Sequence, residues 1–108
     1  MLWQNKPEDA LLYFKKALNI EPNNRAVLLN TGVSLSLIGD NGNAELFLVR
    51  AAERSARDIR PVYALIENSV RAGDLQKAEN YTEKMFAEFS IKTIMDGFDL
   101  YVDNYLTA

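Results

Sequence analysis

Small residues recur in this chain at a fixed interval. Ala10, Ala44 and Ala78 lie 34 residues apart, and the pairs Gly39-Asp40 and Gly73-Asp74 keep the same interval. A fixed period of this size marks stacked supersecondary units, and 34 is the value filled by a helix, a turn and a second helix. The period limits the fold to repeated helix pairs, each burying its apolar face against the next. It says what kind of device this is, and leaves open what the device holds.

The segments between these marks read as helices. Pro7 suits the first turn of a helix, and Glu8 and Asp9 favour its positive end. Ala10, Leu11, Phe14, Ala17 and Leu18 then recur as a helical stripe. Pro22 disfavours helical geometry at Glu21, so Glu21-Pro22-Asn23-Asn24 ends the segment. The pattern predicts further helices over about Arg25–Ile38, Asn43–Ser55, a segment from Asp58 to about Ala72, and Leu75–Phe89. Gly39 and Gly73 stop the preceding helix, and the Asx residues after them start the next. No period-2 apolar run bounded by hairpin turns is present, so the expected class is all-α. From Ile91 the residues Ile91, Ile94, Met95, Phe98, Tyr101, Val102 and Tyr105 form one long apolar stripe, with Asp96, Asp99 and Asp103 opposite. Gly97 within it marks either close packing or a kink.

Composition removes several classes of function. The chain has 108 residues, one small domain at most. Its net charge is −3, which argues against a nucleic-acid binder. Residues 1–58 carry seven basic and seven acidic side chains, and residues 59–108 carry five and eight, so the acidic excess lies in the second half. With no His and no Cys, the commonest general base, the commonest thiol nucleophile and thiolate metal ligands are absent. Ser34, Ser36, Ser55 and Ser69 have no evident activating triad, and the five glycines form no phosphate cradle. Paired carboxylates such as Glu8/Asp9 and Asp99/Asp103 read as a cap or a solvated helix face. Neither a metal, a cofactor nor catalysis is expected. No run reaches the 18 or so apolar residues of a membrane span, and the start MLWQNKPED shows no signal-peptide pattern.

With the period and helix pairs in place, the chain resembles a tetratricopeptide repeat array over about residues 5–90. In that family each unit is two antiparallel helices with small residues where they touch. Residues 1–24 match the second half of a unit through Ala10, Phe14, Ala17 and Pro22. Residues 25–58 match a complete unit through Leu28, Gly32, Leu35, Ala44, Leu48 and Ala51, departing where Ala56 replaces the expected Pro. Residues 59–90 match a degenerate unit, with Ile66 in place of the small Gly and Thr82 in place of a bulky apolar residue. Residues 91–108 are expected to form a capping helix on Leu75–Phe89. The resemblance implies a right-handed α–α superhelix, and a function in binding a peptide or helix of another protein in a concave groove. Carried over position by position, that groove is lined by Ala26, Leu29, Asn30, Val33, Ser36 and Leu37, then by Arg60, Tyr63, Glu67, Val70 and Arg71. Asn30 sits where chaperone-tail-binding relatives place an amide that bonds the peptide backbone, and Arg60 where they place a base for a terminal carboxylate. Ala64 stands at their second basic position, so that clamp is at best half present.

The first unit lacks most of its first helix, so Leu11, Phe14 and Leu18 are expected to be partly uncovered unless Leu2 and Trp3 shield them. Exposing a large apolar side chain costs about 1.5–3 kcal/mol, a heavy load for a domain stabilised by about 5–15 kcal/mol. The expectation is therefore a piece of a longer array, or self-association through that edge. Phe98, Tyr101 and Tyr105 are a second candidate oligomer surface, because aromatic anchors concentrate binding energy. Arg50, Arg54 and Arg57 form a basic row on the third helix that reads mainly as a solvated face. Alternatives to groove binding are a structural oligomerisation or spacer segment, and a regulatory repeat region of a larger enzyme such as a glycosyltransferase.

Overall fold

A computed structural model describes residues 7–103. Among the described residues six helices follow one another: α1 (Pro7–Ile20), α2 (Arg25–Leu37), α3 (Asn41–Arg54), α4 (Arg60–Arg71), α5 (Leu75–Glu88) and α6 (Ile91–Tyr101). No strand occurs among the described residues. The expected α3 started two residues late. Asp40 itself is the N-cap, and its carbonyl accepts the Ala44 N–H at 3.0 Å.

The 34-residue period is visible in the backbone hydrogen bonds. Gly39 and Gly73 adopt φ of +89° and +78°, a left-handed geometry that only Gly enters without strain. At the first junction Gly39 N–H donates to Ser36 O (3.1 Å) and Asp40 N–H to Leu35 O (2.9 Å). At the second, Gly73 N–H donates to Val70 O (3.0 Å) and Asp74 N–H to Ser69 O (2.9 Å). This crossed pair is the Schellman closure, and in both places the Asp that completes it sits at the N-cap position of the next helix, where Asp74 also accepts the Lys77 N–H at 3.0 Å. Ser90 caps α6, accepting the Thr93 N–H at 3.1 Å.

Helices consecutive in sequence pack together, and α2 also touches α4, as α4 touches α6. The α2–α3 contact is closest at Gly32, where an added Cβ would meet the Leu48 side chain at 2.6 Å and the Ala44 carbonyl at 3.3 Å. The position expected to be small is small because two helices meet there. One core cluster draws on all six helices, from Phe14 through Leu28, Leu48, Tyr63 and Met85 to Tyr101. Two polar links add register. The Asn41 and Asn68 side chains pair at 2.9 Å, and the Asn68 amide also donates to Asn41 O at 3.0 Å. Glu45 accepts from Tyr81 Oη (2.7 Å) and Lys77 Nζ (3.0 Å), joining α3 to α5. Burial opposes ionisation of Glu45, but these two donors outweigh it and hold the carboxyl below its ordinary range. Burial and the Glu45 charge together push the Tyr81 hydroxyl up.

The radius of gyration is 13.1 Å, the value of an ordinary globular domain of this length. The helix α6, expected to cap α5, also departs from expectation. It leans on α4 more closely than on α5.

Candidate partner-binding surfaces

The expected groove is largely filled. Leu29 (1% exposed), Val33 (3%) and Tyr63 (8%) belong to the core cluster, and Ser36 is buried too. The physical reason is clearest at Tyr63. Its ring meets Phe98 edge-on at 5.7 Å and lies 5.8 Å from Tyr101, and its hydroxyl donates to the Ile94 carbonyl. Thus α6 occupies the face of α4 on which a ligand was expected. Sequence reading missed this because all three aromatic residues read equally well as surface anchors.

The polar groove candidates are mostly engaged within the chain. The Arg60 guanidinium forks onto Asp58, with Nε–Oδ1 at 2.9 Å and Nη2–Oδ2 at 2.8 Å, and Asp58 also accepts the Arg60 backbone N–H at 3.0 Å. Burial disfavours the charged form of Asp58, yet the Arg60 bonds, with the more distant Arg25, hold its carboxyl below its usual range. A carboxylate clamp at Arg60 therefore has to displace an internal carboxylate. Asn30 is half-buried. Glu67 and Arg71 pair at 3.3 Å one turn apart.

Besides Ala26, exposed at the start of α2, what stays accessible lies at the C-terminal ends of α2 and α4. Leu37 is half-buried, Ile38 and Val70 are 39% and 52% exposed, and Arg71 is exposed at the C-terminal end of α4. Leu37 and Arg71 are separated by the repeat interval. Short junctions make consecutive helices antiparallel, so α2 and α4 run parallel and these ends lie on one side of the molecule.

The expected oligomer edge is likewise covered. Leu11 (8% exposed) packs with Leu35, Ala44 and Phe47, Phe14 (8%) enters the main core, and Leu18 is partly buried against it. Tyr101 is buried at 2%, while Phe98 keeps 49% exposure; Tyr105, like Leu2 and Trp3, falls outside the described residues. The single stripe read from the sequence is two. Ile94, Gly97 and Tyr101 face inward, and Ile91 (65% exposed), Met95 (63%) and Phe98 lie along an open flank.

Two further features escaped sequence reading. A cleft of about 280 Å³ opens between α3, α4 and α5, lined by Val49, Ala52, Val62, Leu65, Tyr81 and Phe89 among others. Arg50 of the basic row bonds the Pro22 carbonyl at 3.3 Å and sits 5.7 Å above the Phe47 ring. Among the described residues no helix is long and apolar enough to cross a membrane, and no group of three His, Cys, Asp or Glu side chains is placed to hold a metal ion. No family model, curated protein or solved structure matches the chain.

Proposed function

We propose that this chain is a protein-binding module of tetratricopeptide type, a short right-handed solenoid without chemistry of its own. The observation that carries the reading is the repeated junction at Gly39-Asp40 and Gly73-Asp74, whose hydrogen bonds coincide position by position at the repeat interval. Such junctions present α2 and α4 as equivalent neighbours, the arrangement that builds a binding face from successive first helices.

The contact is placed at the open half of that face, on Leu37, Ile38, Glu67, Val70 and Arg71, and not on the filled half around Leu29, Val33 and Tyr63. The exposed Glu67–Arg71 pair contributes little to stability, so Arg71 exchanges partners at small cost. A guanidinium beside an exposed Val suits a partner segment with a carboxylate next to an apolar side chain.

Selection from a random peptide library on the folded chain tests this. Enriched peptides are expected to carry an acidic residue beside an apolar one, and to lose binding to Val70→Asp/Arg71→Glu while helicity by circular dichroism is unchanged. Peptides that bind the double variant as well as the parent, or a selection that enriches nothing, would overturn the placement.

A further inference from the structure

The packing of α6 on α4 sets a pattern that α6 itself leaves unfinished. On α4 the residues Ile59, Tyr63 and Ile66 are spaced four and three apart; on α6, Ile91, Met95 and Phe98 have the same spacing. The residues three further on from Ile59 and Ile91, Val62 and Ile94, are both buried, so the two triplets occupy the same flank of their helices. On α4 that flank receives a helix. Gly97 of α6 comes so close that an added Cβ would overlap Ile59 Cγ2, and Tyr63 is covered by Phe98 and Tyr101. On α6 the same flank leaves Ile91 at 65%, Met95 at 63% and Phe98 at 49% exposure. With Val102 it continues the four-three-four spacing of a helix-pairing seam.

We propose that a second copy of this chain covers the flank, α6 against α6, antiparallel about a two-fold axis crossing the stripe between Met95 and Phe98. Charge selects both occupant and direction. Lys92, Asp99 and Asp103 share one rim of the stripe, seven and four residues apart. In the antiparallel pair Lys92 of one copy falls level between Asp99 and Asp103 of the other, and the two-fold axis makes this contact twice. Parallel pairing sets this charged rim against the opposite rim of the partner, where Ile94 and Tyr101 lie, and gives Lys92 no carboxylate to meet. Lys92 now bonds Asp96 at 2.6 Å in a pair exposed on both sides (85% and 66%), an arrangement readily exchanged for an intermolecular one. The face is independent of the ends of α2 and α4 discussed above. A pair of 11-residue helices is smaller than a standard interface, so the dimer is expected to be weak.

Sedimentation equilibrium of the whole chain at rising concentration, up to about 0.5 mM, tests the proposal. The expected result is a monomer–dimer equilibrium that Met95→Lys weakens by about tenfold or more. Met95 is exposed, so the variant is expected to fold; Leu46→Lys, equally exposed on α3, serves as control and leaves the equilibrium unchanged. Lys92→Asp and Asp99→Lys each weaken association, and Lys92→Asp/Asp99→Lys together restore it, which a merely structural role for either residue does not produce. A chain that is monomeric throughout, a dimer indifferent to Met95→Lys, or a double variant no tighter than the single ones overturns the proposal.

Discussion

Gly32 owes its place to contact and not to backbone freedom. A methyl group there would have to move Leu48, which is fully buried, or press on the Ala44 carbonyl. Overpacking costs about 1–3 kcal/mol, and Ala returns about 1 kcal/mol of helix propensity. Gly32→Ala is therefore expected to lose up to about 2 kcal/mol, seen as a lower urea midpoint with unchanged slope; a rise in the midpoint would deny the close α2–α3 approach. Asp58 offers a second test at this scale. Its carboxyl titrates lower in the folded chain than in the unfolded one, so its contribution is present above the unfolded carboxylate range and lost as pH falls through the folded value. Asp58→Asn is expected to cost on the order of 1 kcal/mol at pH 7, with the difference from the parent starting to shrink near about pH 4 and disappearing only below the folded value. A difference that persists in acid would mean the Arg60–Asp58 fork is not what stabilises the start of α4. Thr31, Ser34 and Ser36 are buried, and their hydroxyls have no hydrogen-bond partner among the described residues.

At the level of elements, α6 is the piece most dependent on one small residue. The sequence left Gly97 as close packing or a kink, and its approach to Ile59 decides for close packing. Ile59 is buried and β-branched, so it yields poorly to an added methyl. Gly97→Ala is expected to speed amide exchange across α6, with α2 and α3 protected as before, because α6 can open without the rest. Equal acceleration in all helices would show that α6 does not open as a separate unit. Helix positions were legible in the sequence because Pro22, Gly39 and Gly73 act within a few residues of themselves. The inner and outer faces of α6 were not legible. Ile91, Ile94, Met95, Phe98 and Tyr101 are all apolar at helical spacing, and only the position of α4 selects Ile94 and Tyr101 for burial.

For the molecule as a whole, the core is continuous. Phe14 on α1 and Tyr101 on α6 belong to one buried cluster, and the radius of gyration is that of a globular domain. Long repeat arrays melt piecemeal because each unit touches only its neighbours. Here chemical denaturation is expected to be a single transition, with far-UV circular dichroism and tyrosine fluorescence superimposing at pH 7. Separate midpoints for the two probes would argue that α1–α3 and α4–α6 behave as independent halves.

The sequence by itself determined the all-helical class, the junctions and the 34-residue equivalence of Gly39-Asp40 with Gly73-Asp74, because capping and left-handed glycine geometry are local physics. It also marked Ala44 as a contact point, since small residues at a fixed period have few other uses; Gly32, whose interval partner is Ile66, was marked by the resemblance alone. Only the tertiary structure decided that Leu29, Val33 and Tyr63 are core and not groove, that Leu11 and Phe14 are covered, and that Arg60 is held by Asp58. Burial is a property of what lies opposite a side chain, and the partners of these residues come from helices whose placement no local pattern specifies.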